Sequence, residues 1–283
     1  TPPLWPCPCP SRRRFDFRRR LTYSLHMVDI RQIPSKVEIY PRVTNVLSEI
    51  DYLRGRIAAA SAKGVFVPQL QKEAAIVMAY ASTTIEGSTL TPQEVRMVAA
   101  GKTPAKPEFH IRMVKNYLAA IEWIRRKKRA KSIAERDVLS LHRIIGEGAV
   151  DDGPVGKYRR VQVYVGNHVP PPGRSVSTWM KRFLQLLNAG WQEYHPVIAS
   201  ALAHLQIATI HPFRDGNGRT ARALASWELY RRGYDSLHIF TVDDVLLEKR
   251  NLYYSQLDNA RTPGGVGDWI EYIVDVTAEG LER

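Results

Sequence analysis

The stretch that decides the fold is His211-Pro212-Phe213-Arg214-Asp215-Gly216-Asn217-Gly218-Arg219-Thr220-Ala221-Arg222. It lies between two segments with apolar residues at helical spacing, residues 195–210 and 218–232. Gly216 and Gly218 permit backbone angles that other residues avoid, so successive N–H groups can converge on an anion where the second helix begins. The positive end of that helix faces the same anion. The sequence therefore predicts two helices joined by a phosphate-binding turn.

Side chains around this turn suit phosphate chemistry. Arg219 and Arg222 lie three positions apart, on one helical face, and both can reach a polyphosphate with forked donors. Asp215 offers a carboxylate to Mg²⁺, which takes one or two carboxylates together with substrate phosphate oxygens. His211 is the one obvious base nearby, and Phe213 is best explained as a buried anchor that fixes the turn.

Each of these features alone is unspecific, because a histidine before a turn is usually structural and Gly-x-Gly turns are common. The ordered set resembles the signature of the Fic family, His-x-Phe-x-(Asp/Glu)-Gly-Asn-Gly-Arg-x-x-Arg. The eight specified positions are filled by His211, Phe213, Asp215, Gly216, Asn217, Gly218, Arg219 and Arg222. The resemblance covers roughly residues 37–280.

The resemblance implies a protein adenylyltransferase. His211 would take a proton from a Tyr, Thr or Ser hydroxyl of a target protein, the oxygen would attack the α-phosphorus of ATP, and pyrophosphate would leave. The family's site roles then fall on the same residues: Mg²⁺ on Asp215, the β-phosphate on the amides of Gly216, Asn217 and Gly218, the pyrophosphate charge on Arg219, and the γ-phosphate on Arg222.

A second motif, Ser82-Thr83-Thr84-Ile85-Glu86-Gly87, ends an upstream helix. A glutamate at a helix C-terminus is slightly misplaced electrostatically and usually just faces water. Beside a complete signature, however, these residues resemble the family's inhibitory motif, (Ser/Thr)-x-x-x-Glu-(Gly/Asn). The resemblance implies that Glu86 pairs with Arg222 and occupies the space that the γ-phosphate needs.

Composition sets outer bounds. The chain has 283 residues, a formal charge of +13, two cysteines and no apolar run near the roughly 20 residues that span a bilayer. Residues 1–26 contain both cysteines and six arginines. We expect residues 1–34 to be a leader that is disordered or foreign to the natural protein; the alternative is an arginine-rich arm for nucleic acid or acidic surfaces.

The remainder predicts an all-α fold, a Fic-type helical bundle with a short β-hairpin. Residues 35–110 are predicted to hold the N-terminal helices, including the inhibitory one, and residues 111–283 the Fic core. The helices are expected at residues 37–57, 69–86, 91–101, 108–129, 132–146, 176–189, 195–210, 218–232, 243–260 and 267–281. Two capping boxes are predicted, at Thr91 with Glu94 and at Ser132 with Glu135.

The periodicity changes between residues 150 and 174. Alternation over residues 160–165, followed by Gly166-Asn167 and by three prolines, predicts a hairpin; the alternative is a surface loop. The family carries here a hairpin called the flap, which holds the modified segment of the target by main-chain pairing. The resemblance places it at residues 161–168, with target-binding positions at Val161, Gln162, Val163, Tyr164 and Val165.

Asn251, Tyr253 and Tyr254 lie in the penultimate predicted helix, where the family often places residues near adenine and ribose. The resemblance therefore implies that these residues, Asn251 and Tyr254 above all, contact ATP, although an aromatic pair on a helix is more often part of the core.

De-AMPylation and other Fic-type phosphotransfer are the alternatives to this activity. Relatives transfer phosphate or phosphocholine, and some remove AMP from a modified target; the kinase-like branch has lysine at the position of Gly218, which disfavours phosphate transfer here. A nucleotide-sensing or DNA-binding regulator is the alternative from another class, and nucleic acid is not expected as a partner. We expect a cytoplasmic enzyme that uses ATP and Mg²⁺ and does not associate with membranes. A homodimer is compatible with the sequence.

Overall fold

The computed structural model describes residues 33–61, 66–127, 130–235 and 237–283. In these ranges the chain forms eleven α-helices and a single β-bridge, which confirms the predicted all-α class. The helices are α1 (Pro41–Ser61), α2 (Val67–Ile85), α3 (Pro92–Ala99), α4 (Glu108–Arg126), α5 (Glu135–Gly146), α6 (Val176–Gln185), α7 (Pro196–Ile210), α8 (Asn217–Arg231), α9 (Asp243–Glu248), α10 (Arg250–Asn259) and α11 (Gly265–Glu282).

Helix α7 is the centre of the bundle. Thirteen of its fifteen residues are buried, because apolar side chains surround it on nearly every side and α6, α8 and α11 all pack against it. Burial of each large side chain, such as Ile198 or Leu202, contributes about 1.5–3 kcal/mol. The central position predicted for this helix is confirmed, and the helix delivers His211 at its C-terminal end.

The N-terminal helices pack onto this core. Helix α1 lies against α11, and α2 lies against α4, α8 and α9. The larger cluster of buried apolar side chains extends along the chain from Ile33 to Val274, and a smaller cluster joins Ile85 at the end of α2 to Leu205 and Trp269. The C-terminus of α2 is thereby fixed beside the first turn of α8.

One of the two predicted capping boxes is present. The Thr91 hydroxyl accepts a hydrogen bond from the Glu94 amide at 3.3 Å, and the Glu94 carboxylate accepts one from the Thr91 amide at 2.8 Å. The box predicted at Ser132 with Glu135 is wrong. Helix α5 begins at Glu135, and the Asp137 carboxylate accepts a hydrogen bond from the Ala134 amide at 3.0 Å.

Two predicted helices are interrupted. The helix expected over residues 243–260 is divided into α9 and α10 at Lys249, whose ψ of 30° lies outside the helical range. The helix expected over residues 176–189 becomes a π-helical turn at Leu186–Gly190. The predicted leader lies almost wholly outside the described residues. No helix in the described ranges is both long and apolar enough to cross a membrane.

Candidate active site

The turn between α7 and α8 is held closed by a side chain of the motif itself. The Asn217 amide group accepts a hydrogen bond from the Phe213 amide at 2.9 Å and donates one to the Phe213 carbonyl at 3.0 Å. Phe213 is fully buried, as predicted, and Gly216 has a φ of 78°, in the left-handed region. Asn217 therefore shapes the turn through its side chain.

His142 on α5 packs against the turn and stabilises it, although nothing in the sequence indicated this role. Its ring stacks on Phe213 with centroids 3.6 Å apart. Nδ1 accepts a hydrogen bond from the Gly156 amide at 2.9 Å, so Nε2 carries the proton and donates to the Asp215 carbonyl at 2.9 Å. Burial lowers the pKa of His142 to about 4, so the ring is neutral near pH 7.

The predicted base, His211, ends α7 in an uncommon backbone conformation. Its φ is 49°, in the left-handed region, and its Nδ1 lies 3.4 Å from the Ala208 carbonyl. A proton on Nδ1 would leave Nε2 unprotonated and able to accept another. Burial lowers the pKa of His211 to about 4, with smaller contributions from the charges of Arg261 and Arg159. The imidazole is therefore neutral at neutral pH, as a general base must be.

The carbonyls at the end of α7 are capped by side chains from distant segments. Arg159, which is 2% exposed, donates from Nε to the His211 carbonyl at 2.7 Å and from Nη2 to the Ile210 carbonyl at 3.2 Å. His168 Nε2 lies 2.7 Å from the Thr209 carbonyl, and Arg261 Nη2 donates to the Ala208 carbonyl at 3.2 Å. Cations suit this negative end of the helix dipole, and together these contacts fix the backbone that carries His211.

The structure brings Glu86 and Arg222 together. Arg222 Nη2 donates to Glu86 Oε1 at 2.7 Å, and Arg222 also donates to the Ser82 hydroxyl at 2.8 Å and to the Ser82 carbonyl at 2.9 Å. Burial alone would raise the pKa of Glu86, but the charge and hydrogen bond of Arg222 lower it below its usual range. Glu86 is therefore an anion held by a buried guanidinium.

That carboxylate lies over the first turn of α8. A Cβ on Gly218 would stand 2.2 Å from Glu86 Oε1, so the missing side chain is what makes room for the carboxylate. The position is next to the amides that begin α8 and next to Arg222, as an anion site at a helix N-terminus requires. The Glu86 carboxylate thus stands in for an oxygen anion, and the chemistry of the site fits a phosphate group.

Asp215 and Arg219 lie beside this anion site. Asp215 Oδ2 accepts a hydrogen bond from the Asp151 amide at 2.9 Å and lies 3.7 Å from Arg219 Nη2. The Asp215 side chain is 31% exposed, so one carboxylate could bind Mg²⁺ whose other ligands are phosphate oxygens and water. Within the described residues no group of three or more acidic, His or Cys side chains forms a metal site of its own. Arg219 is buried, donates to the Ala149 carbonyl at 2.7 Å and has an unpartnered Nε.

The predicted adenosine-contacting residues differ in their surroundings. Tyr254 is 40% exposed, and its hydroxyl lies 3.4 Å from the Ile85 carbonyl, at the C-terminal end of α2. Asn251 is exposed on α10. The neighbour that contacts the motif is Tyr253, whose buried hydroxyl accepts from Arg222 Nη1 at 3.3 Å and lies 2.8 Å from His204 Nε2. The sequence carried no signal for the contact between Tyr253 and His204.

A polar network continues behind Arg222. The Tyr117 hydroxyl donates to the Asp243 carboxylate at 3.1 Å, and burial raises the pKa of Asp243 to about 6. Asp243, His204 and Arg222 line one small internal cavity. These residues come from α4, α7, α8 and α9, and their meeting could not be read from the order of the chain.

The predicted hairpin is reduced to its turn. Val165 and His168 form one antiparallel bridge around Gly166 and Asn167, and residues 161–164 are irregular. The two-stranded form fails because the opposing segment contains Pro170, Pro171 and Pro172, which have no N–H to donate. We keep the name flap for residues 161–168.

The sequence and fold of the chain are similar to those of known proteins. The Fic/DOC family profile matches residues 132–229. The chain is 34% identical over 241 residues to the protein adenylyltransferase Fic of Culex quinquefasciatus and 35% identical over 244 residues to that of Drosophila yakuba. These alignments cover 82% and 83% of this chain but 46% and 47% of those proteins, so the chain spans about half the length of the curated relatives it matches.

Solved structures give the same picture. A Fic family protein from Desulfovibrio desulfuricans G20 matches with a TM-score of 0.78 and 29% identity, over 87% of this chain and 74% of that one. Fic-1 from C. elegans matches in fold, with a TM-score of 0.70 and 24% identity, over 86% of this chain and 71% of that one.

Proposed function

This chain belongs to the Fic/DOC family, and from that premise and the geometry of its site we propose that it is a protein adenylyltransferase. It would transfer AMP from ATP to a Tyr, Thr or Ser hydroxyl of a target protein. The observation that carries the proposal is the anion site formed by Arg222 and the start of α8, which the Glu86 carboxylate fills. The turn between α7 and α8 thus connects a neutral histidine to an anion site, an arrangement that suits attack of a hydroxyl on a phosphate.

The reaction follows from the protonation state of His211. Nε2 accepts the proton of the target hydroxyl while the oxygen forms a bond to the α-phosphorus of ATP. The bond from that phosphorus to the bridging oxygen breaks, and pyrophosphate leaves with the electron pair. A positioned base contributes roughly 10²–10⁴-fold in rate. The remaining acceleration comes from orientation and from charge stabilisation by fixed donors.

The other motif residues bind and orient the nucleotide. Asp215 would hold Mg²⁺, which neutralises phosphate charge when bound. The amides of Gly216, Asn217 and Gly218 would face the β-phosphate, and Arg219 would face the leaving pyrophosphate. Arg222 would take the γ-phosphate after Glu86 withdraws. Asn251 and Tyr254 are proposed near the adenosine, and residues 161–165 of the flap near the target.

We also propose that residues 35–110 restrain the core of residues 111–283 through Glu86. One guanidinium cannot give its short hydrogen bond at 2.7 Å both to this carboxylate and to a phosphate oxygen in the same place. ATP could therefore bind productively only after the carboxylate leaves. The same contact supports both the phosphate site and its inhibition, because the inhibitor is itself an anion.

Labelled ATP tests the function. We would incubate the protein, the Glu86→Gly variant and the Glu86→Gly/His211→Asn variant with Mg²⁺ and ATP labelled at either the α- or the γ-phosphate, and measure protein-bound label. Expected are α-label only, more of it with Glu86→Gly, and none without His211. Glu193→Gly, at an exposed glutamate before α7, is the control and should match the parent. Incorporation of γ-label, or no α-label in any variant, would contradict the proposal.

A further inference from the structure

The flap lies in a long stretch without acidic residues. The chain has 28 acidic residues in 283, so about four are expected in any forty, yet residues 153–192 contain none. Six cations occur in the same stretch. Five of them are exposed and make no ion pair in the described part of the chain: Lys157, Arg160, Arg174, Lys181 and Arg182. Within the stretch itself, therefore, no carboxylate compensates these positive charges. From outside the stretch, the Asp258 carboxylate on α10 acts electrostatically on His168 at the end of the flap.

Two of these cations are brought together at the base of the flap. A Cβ on Gly173 would lie 2.3 Å from the carbonyl carbon of Arg160, so the backbones at Arg160 and Gly173 pack directly against each other. Arg174 follows immediately. The side chains of Arg160 and Arg174 thus leave adjacent points of the backbone and are both exposed. Lys181 and Arg182 lie farther along the chain, on α6.

The flap also offers main-chain and apolar contacts. The amides of Gln162, Val163 and Tyr164 donate no hydrogen bond to any residue that the structure describes. The side chains of Val161 and Tyr164 are 46% and 72% exposed. An extended peptide can pair with free amides of this kind and cover the neighbouring apolar side chains.

This surface is attached to the helix that carries the base. Arg159 donates to the Val161 carbonyl at 2.8 Å and to the Pro171 carbonyl at 2.6 Å, with the same guanidinium that holds the His211 carbonyl. His168, at the end of the flap, contacts the Thr209 carbonyl. A segment that docks on the flap therefore has a fixed position relative to His211.

We propose that the flap edge, made of Arg160, Val161, Tyr164, Arg174 and the free amides between them, selects an extended acidic segment of the target protein. The inference rests on the proposed function and adds the substrate class. Carboxylates of the segment would meet Arg160 and Arg174, an apolar side chain would cover Tyr164, and the hydroxyl would reach His211. Main-chain donors along an irregular, extended segment can pair with the regularly spaced carbonyls of a peptide strand, which favours a peptide as the occupant.

Peptides test the proposal in the Glu86→Gly background. Three fluorescent peptides of equal length would carry one Thr and one Leu, flanked by Asp and Glu, by Ser and Gln, or by Lys and Arg. We would measure binding by anisotropy and AMP incorporation by mass spectrometry. We expect kcat/KM for the acidic peptide to exceed that for the basic one at least about tenfold at low salt, with the ratio decreasing at high salt.

Charge reversal locates the effect. Arg160→Glu/Arg174→Glu should remove or invert the preference, whereas Lys181→Glu/Arg182→Glu, which changes the net charge equally, should keep most of it. Circular dichroism would verify that both variants are folded. Equal binding of all three peptides, no binding of the acidic one, equal effects of the two double variants, or stronger competition by single-stranded DNA of matched charge would overturn the proposal. Self-labelling from α-labelled ATP distinguishes this failure from failure of the proposed function, since it needs no peptide.

Discussion

Gly218 and Glu86 share one volume: the Cβ that glycine lacks would stand 2.2 Å from the Glu86 carboxylate oxygen. Gly218, in the first turn of α8, thus leaves room for an anion, and the Glu86 carboxylate of the same chain occupies that room. If a phosphate oxygen takes this place when ATP binds, a methyl group at position 218 would exclude both occupants.

This relationship predicts the behaviour of Gly218→Ala. In the Glu86→Gly background, the added methyl should weaken ATP binding at least about tenfold, equivalent to roughly 1.4 kcal/mol. Isothermal titration calorimetry would measure the affinity. Gly55→Ala is the matched control, because a Cβ there would contact nothing within 4 Å. Unchanged affinity in Gly218→Ala would show that the phosphate lies elsewhere.

Arg159 is predicted to be a positioning residue for His211. Lysine has one charged nitrogen and cannot reproduce contacts to four carbonyls, so Arg159→Lys should behave much like Arg159→Met. In the Glu86→Gly background both variants should lose kcat roughly tenfold or more, while the Kd for ATP stays near that of the parent. Because each unsatisfied buried carbonyl costs about 1–3 kcal/mol, Tm should also decrease. A lower Tm with unchanged kcat would restrict Arg159 to a structural role.

The pH dependence of the reaction follows from the lowered pKa of His211. With a pKa of about 4, the base is unprotonated through the neutral range. In the Glu86→Gly variant with Mg²⁺ in excess, kcat/KM should be level between about pH 6 and pH 8. A half-maximal rate near pH 6.5, the ordinary value for histidine, would mean that the base is as solvated as a free side chain.

The free energy of unfolding is also expected to decrease at acidic pH. Burial lowers the pKa of His204 and His238 to about 3 and that of His168 to about 4, whereas histidines in an unfolded chain titrate near 6.5. The unfolded state therefore binds more protons below about pH 6.5, and the free energy of unfolding should decrease from there towards pH 4. Asp235 and Asp243, with pKa values raised to about 6, act in the opposite direction because the folded state binds their protons more tightly. They are fewer than the buried histidines, so the decrease should prevail.

Denaturant titrations at a series of pH values would measure that slope. His238→Asn provides the comparison, because asparagine does not titrate and tolerates the left-handed φ of 54° at this position. Its slope should be shallower than that of the parent over the same range. An identical slope would assign the acid sensitivity to other groups.

Local and motif-borne features were predictable from the sequence. The apolar pattern predicted α7 and α8, and the glycines predicted the turn between them. The family resemblance predicted the contact between Glu86 and Arg222, which lie 136 positions apart. The failed hairpin was also readable in principle, since prolines 170–172 stand where the second strand needs amide donors.

The supports of the site were not predictable in the same way. Arg159 binds main-chain carbonyls, which every residue has, so its partners at positions 210 and 211 leave no trace in side-chain pattern. His142 reaches the Asp215 carbonyl across 73 positions for the same reason. Contacts from a side chain to a distant backbone depend on how helices pack, and the order of residues does not encode them locally.

The left-handed backbone of His211 bears on which substitutions would stabilise the protein at this position. A residue with a Cβ in that region costs roughly 1–2 kcal/mol relative to the ordinary helical region, and glycine or asparagine would relieve much of it. Histidine is therefore retained there against the preference of the main chain. His211→Asn is therefore expected to unfold at a higher temperature than the parent protein while it loses the proposed activity. At this position the side chain needed for the reaction lowers the thermal stability of the fold.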